Sequence, residues 1–123
     1  MFVMNSCNGG KDSYEKHKQM VLNTEKNNPT EFLQLNVDSK VNLIGVVIID
    51  GSIMNKATMA TYKDAVVHVD YLSKTNSVLG SDEQTVMEFF KPNTSVEVKL
   101  KFPGYKGTKS AMVKLKSATA LSE

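Results

Sequence analysis

From Thr30 onward the chain alternates apolar and polar residues with a period of two, the spacing that turns one face of an extended strand to a core and the other to water. Glu31 to Val37 puts Leu33, Leu35 and Val37 on one face. Val41 to Asn55 is a longer run rich in β-branched residues, with Val47, Ile49, Gly51 and Ile53 on one side and Asp50, Ser52 and Met54 on the other. Within it, Gly45 or Gly51 marks a bulge or a close approach of two backbones. Lys63 to Ser73 alternates Ala65, Val67, Val69 and Tyr71 against Val66, His68, Asp70 and Leu72, and Lys74-Thr75-Asn76-Ser77 is a turn signal. Val78 to Phe90 supplies one or two short strands, closed by the turn residues Lys91-Pro92-Asn93. Ser95 to Phe102 is the cleanest strand: Val96, Val98, Leu100 and Phe102 point inward, and Glu97, Lys99 and Lys101 point to water. After the loop Pro103–Gly107, Thr108 to Thr119 forms the last strand, with Ala111, Val113 and Leu115 opposite Met112, Lys114 and Lys116.

About six or seven strands separated by turn signals predict an all-β fold, an immunoglobulin-like antiparallel β-sandwich over residues 30–123. A single apolar face on each strand requires two sheets that share one core. Helices are disfavoured here, because the apolar runs are rich in Val, Ile and Thr and are broken by Gly and Pro. Residues 1–29 differ in kind. From Asn8 they are rich in Asn, Lys, Glu and Gly, and Tyr14, Met20, Val21 and Leu22 make no sustained stripe. This segment is expected to be a polar tether with at most a frayed helical turn or two, ending at Asn27-Asn28-Pro29.

The opening residues Met1-Phe2-Val3-Met4-Asn5-Ser6-Cys7, followed by Asn8-Gly9-Gly10, resemble the end of a bacterial lipoprotein signal, in which a small residue precedes the cysteine that carries the lipid. Ser6 fits that small residue. The basic and most of the apolar parts of such a signal are not in the sequence, so the resemblance implies a chain that begins late. It makes Cys7 a lipid-attachment residue, and two acyl chains suffice for stable membrane attachment. The alternative is an ordinary cytoplasmic N-terminus with a free thiol.

A second resemblance covers about residues 31–119. Gly51-Ser52-Ile53-Met54-Asn55, then Lys63–Tyr71, then Ser77-Val78-Leu79-Gly80, then Phe90–Ser95 running into Val96-Glu97-Val98-Lys99 is similar in order to FxLYD-type and related immunoglobulin-like domains of bacterial envelope proteins. The positions that name that family hold Val69, Tyr71, Leu72 and Ser73 in place of Phe, Leu, Tyr and Asp. The resemblance implies an envelope domain without catalytic activity and carries over no functional residue.

Charge changes the picture only in its distribution. The net charge is +2, yet residues 91–123 carry +5 and the first ninety −3. All 15 basic residues are Lys, and the absence of Arg argues against nucleic-acid recognition, which favours the bidentate guanidinium. One cysteine rules out an intramolecular disulfide and a cysteine-based zinc site. No cofactor motif is present. His68, mid-strand, and His17 lack a second ligand at metal spacing, and neighbouring Asp82 and Glu83 point to opposite faces of a strand, so they make no acid/base pair.

The candidate contact surface is therefore basic. Lys99, Lys101, Lys114 and Lys116 form one basic face if their strands share a sheet, and Phe102, Tyr105 and Lys106 lie beside it in a loop. The ordinary role of such a face is solvation. The expected function is a non-enzymatic accessory or interaction module of the cell envelope, attached to a membrane by its lipid anchor only, with an unknown protein or glycan as partner. The alternative is a sandwich domain that binds a small ligand or glycan.

Overall fold

The computed structural model describes residues 6–121, with side chains described from Lys16. Eight elements follow in order: helix α1 (Ser6–Asn27), a one-turn helix α2 (Pro29–Phe32), and strands β1 (Leu33–Val41), β2 (Val47–Asn55), β3 (Tyr62–Leu72), β4 (Val78–Phe90), β5 (Ser95–Phe102) and β6 (Ser110–Ala120). The strands form two antiparallel three-stranded sheets, ordered β1-β2-β5 and β4-β3-β6. The fold is an all-β sandwich, as the period-two pattern requires. Its strand order matches the ABE and C′CF strands of the immunoglobulin arrangement.

The alternating residues meet between the sheets. Val47, Ile49, Ile53, Val67, Val69, Tyr71, Phe90 and Phe102 are all fully buried. The core divides into two neighbouring clusters. One surrounds Ile53, Tyr62, Val67, Phe90 and Val98, and the other joins Val47, Ile49, Val69, Tyr71 and Phe102. Residues 78–90 form one strand of 13 residues rather than two short ones. The run 41–55 contains a turn instead: Asn42-Leu43-Ile44-Gly45 reverses the chain between β1 and β2, with Gly45 at φ +88°. Asn42 fixes this turn, since its Oδ1 accepts hydrogen bonds from the N–H groups of Ile44 and Val46, each at 3.0 Å.

Gly51 answers the expectation of a close approach. It lies opposite Val37, and a Cβ there would run into the Asn36 carbonyl oxygen and come within 2.6 Å of Val37 Cα. Both obstacles are backbone and cannot swing aside.

Residues 6–27 form a helix rather than a loose tether. From Lys11 to Lys26 good helix formers predominate and no proline intervenes, and helix ends where Pro29 restricts Asn28. Asn28 Nδ2 donates to the Thr24 carbonyl at 2.7 Å, satisfying one acceptor that the helix end leaves open. Among the side chains described, it is the last turns that pack: Leu22 rests on the core and Glu25 is buried at 3% exposure. Among the described residues, no helix is long and apolar enough to cross a membrane.

Gly51→Ala is expected to lower stability by about 2 kcal/mol or more, because the added methyl forces β1 and β2 apart. An unfolding free energy from urea titration lowered by less than a quarter of that would show that the strands can separate at little cost.

Candidate functional site

The sandwich has two ends, built differently. The helix end is closed by the β2–β3 crossover, residues 56–61, which passes from one sheet to the other. Its backbone polar groups are satisfied by two buried side chains. Asn55 donates from Nδ2 to the carbonyls of Ala60 (2.9 Å) and Phe90 (2.8 Å) and accepts at Oδ1 from the Ala57 N–H (2.8 Å). Glu25 reaches in from α1. Its Oε2 accepts from the N–H and hydroxyl of Thr58 (2.9 and 2.8 Å), and its Oε1 from the N–H groups of Met59 (2.9 Å) and Ala60 (2.8 Å). The Tyr62 hydroxyl donates to the Glu25 carbonyl at 2.6 Å.

Burial pushes the Glu25 carboxyl up, and the hydrogen bonds from Thr58, Met59 and Ala60 together outweigh it, holding the group below its ordinary value. Burial, with the Glu25 charge nearby, pushes the Tyr62 phenol up to about 12. Beside this latch lies a mostly apolar groove of about 430 Å³ lined by Met20, Val21, Thr24, Phe32 and Thr58.

The opposite end gathers the β1–β2 turn, the β3–β4 turn and the β5–β6 loop. Gly104 and Gly45 bring two of these backbones together, and a Cβ on Gly104 would collide with the Gly45 carbonyl. Tyr105 lies across Gly80 and packs on Tyr71, with ring centroids 5.3 Å apart. Thr108 holds the loop: its hydroxyl donates to the Tyr105 carbonyl (2.6 Å) and accepts from the Tyr105 N–H (3.1 Å). Tyr71 is pushed up to about 12 by burial and by its hydrogen bond to Asp82 at 2.8 Å. Leu43, Ile44 and Tyr105 stand out from this end at 105%, 81% and 48% exposure.

The structure separates the residues proposed as one basic face. Lys99 and Lys101 lie on β5, on the outer face of one sheet, and Lys114 and Lys116 lie on β6, on the outer face of the other. The two pairs point away from each other, because β5 and β6 are joined by a loop that crosses between the sheets. Phe102 is not a contact residue but a core residue with no exposed surface, placed there by the same alternation that buries Val98. Tyr105 and Lys106 do reach the surface, together, at the turn end. Cys7 falls in α1, and its side chain lies outside the described residues.

Both outer faces carry rows of charged residues across their strands, with ion pairs on β4-β3-β6. On β1-β2-β5, Asp50 lies between Asp38 and Lys99. On β4-β3-β6, His68 is held between two carboxylates, with Nδ1 3.0 Å from Glu83 and Nε2 2.9 Å from Asp70. Lys116 completes the row on Glu83 at 2.8 Å. The hydrogen bonds to Glu83 and Asp70 raise the His68 pKa, and both ring nitrogens are occupied by them. The carboxylates flank the ring on separate nitrogens, so they do not converge on one point, and among the described residues no His, Cys, Asp and Glu cluster is arranged to hold a metal ion.

Sequence reasoning missed Glu25, whose partners lie more than thirty residues away, and missed the Leu43–Ile44 tip, which it placed inside a strand. Asn at the first and Gly at the fourth position of 42–45 is a type I turn signal that could have located the tip. A comparison of the chain with protein-family models, curated proteins and solved structures finds no match.

Glu25→Gln is expected to cost about 3 kcal/mol at neutral pH, since it removes the charge that the N–H groups of Thr58, Met59 and Ala60 and the Thr58 hydroxyl share. The folded-state pKa of Glu25 is lowered, so its contribution is complete above the unfolded-state value near 4.5 and is lost as pH falls through the folded value. Denaturant titrations of both forms should therefore converge as pH falls through that lowered value; a gap that stays constant with pH would show that shape, not charge, is what Glu25 supplies.

Proposed function

We propose that this protein is a non-enzymatic interaction module whose contact surface is the turn end of the sandwich. One observation carries this. The segments that meet there, residues 40–47, 72–80 and 101–110, contain five lysines (Lys40, Lys74, Lys101, Lys106 and Lys109) and no Asp or Glu. All five are exposed, and among the described residues none makes an ion pair. Lys106 and Lys109 line one depression with the exposed Leu43, Ile44 and Tyr105, Lys40 and Lys101 flank Ile48 near the ends of β1 and β5, and Lys74 lies in the β3–β4 turn. Exposed apolar residues that no core uses, set among one sign of charge, mark a surface built to be covered.

The setting proposed for the module is a bacterial cell envelope, with a lipid on Cys7. The Met1–Cys7 sequence and the similarity of residues 31–119 to FxLYD-type envelope domains support that setting.

A photo-crosslinking residue at Leu43 or Lys106 should give adducts in intact cells, and one at Met87 or Lys56, toward the other end, should give few. Equal yields from all four positions would remove the turn end as a contact surface. A clickable fatty acid should label the chain and fail to label Cys7→Ala; labelling of neither form would end the lipoprotein proposal and return Cys7 to an ordinary thiol.

A further inference from the structure

The turn end carries a more specific chemistry than contact alone. We infer that it docks on an anionic lipid bilayer, with Leu43 and Ile44 in the boundary between headgroups and acyl chains and the five lysines against the headgroups. This rests on the turn end being the contact surface and names its partner.

Four features fit a bilayer. First, the tip is apolar and exposed. Leu43 and Ile44 both stand free of the core, beside a shallow depression that they share with Tyr105 and Lys106, and an exposed aliphatic pair suits a deformable apolar medium. Second, part of the tip's backbone is bonded within the turn. The N–H groups of Ile44 and Val46 donate to Asn42 Oδ1, and that of Gly45 donates to the Asn42 carbonyl at 3.1 Å. Each N–H bonded within the turn is one fewer to be satisfied by water as the tip nears the acyl chains. Third, the tip is braced. Gly45 packs on the 103–108 loop, and Thr108 pins Tyr105, so little ordering entropy is lost on docking.

The fourth feature is the charge. Lysines are mobile point charges on long apolar stems, which can lie along an apolar surface while the ammonium stays hydrated. That matches a diffuse field of anionic headgroups, to which each lysine near the surface adds attraction. Tyr105, with an apolar ring at the base of the tip, is the residue type that settles at such an interface. The first acids met along the sheets, Asp38 and Asp50 on one outer face and Asp70 on the other, lie below the lysines.

The test uses the full chain as Cys7→Ala, so that no acyl chain contributes, in co-sedimentation with phosphatidylcholine vesicles and with vesicles that mix phosphatidylcholine and phosphatidylglycerol. Binding is expected to the mixed vesicles, little to the neutral ones, and less as salt is added. Leu43→Ser with Ile44→Ser should lower partitioning by at least about tenfold without moving the denaturant midpoint, because both side chains are outside the core. Lys106→Ala and Lys109→Ala should each lower it by about fivefold. Absence of binding to the mixed vesicles at low salt overturns the proposal, as does binding that none of these substitutions weakens. Should the vesicles be ignored while Leu43 and Lys106 still crosslink to a protein in cells, the contact surface stands and the bilayer falls as its partner.

Discussion

A sandwich of this kind must carry its chain from one sheet to the other, and each crossing takes backbone out of the sheet ladders. The β2–β3 crossover does so against the bottom of the core, where Ala57 and Ala60 are buried and their N–H groups have no strand to bond to. A buried N–H without an acceptor costs about 1–3 kcal/mol. Asn55 and Glu25 remove that cost. Asn55 is the last residue of β2 and works locally, whereas Glu25 comes from a helix outside the sandwich. The rest of the helix end follows from this pair: α1 is anchored by its last turns, Tyr62 is held beneath it, and Leu22 and Phe32 close over the core.

The two ends solve the same problem by opposite means. At the helix end, side chains bond to loop backbone and the surface is closed. At the turn end, backbones lie directly on one another through Gly45 and Gly104, and the loops bond to themselves. Loops satisfied from within need no further cover, so their outward side chains are released from structural duty. Leu43, Ile44 and the lysines occupy those positions.

The outer faces and edges show how the sheets are kept soluble and in register. Opposite charges meet across strands at Asp50 with Lys99 and at Glu83 with Lys116, while Asp38 faces Asp50. His68 lies between Glu83 and Asp70 and is held more basic than a free imidazole, so this row is strongest below neutral pH and loses the imidazolium charge as pH rises through the raised value. β4, at the edge of its sheet, turns Asp82 and Gln84 inward, where they bond to Tyr71 and to the Lys101 carbonyl of β5. Polar residues on the inner face of an edge strand oppose pairing with another chain.

The sequence by itself determined the strands, because an alternating apolar face is a local property with only one way to be buried. Ser95–Phe102 and its inward Val98 and Phe102 needed no partner to be recognised, and the Pro92 and Asn76 turns carry their own signals. The sandwich follows from those faces. Four things were decided only by the tertiary structure. The docking of the helix at 6–27 was one of them, since Leu22, the Glu25 carboxylate and the bond from Tyr62 anchor its last turns without a sustained apolar stripe. Glu25 was unreadable because its acceptor role exists only once Thr58, Met59 and Ala60 turn their N–H groups toward it. The four strand lysines look alike in sequence, yet the crossing between β5 and β6 sends them to opposite sides. The lysines that do gather, from three segments far apart in the chain, meet only because three turns fall at one end. Periodicity reports which side of a strand faces the core; it holds no information about which strand, or which end, lies next to which.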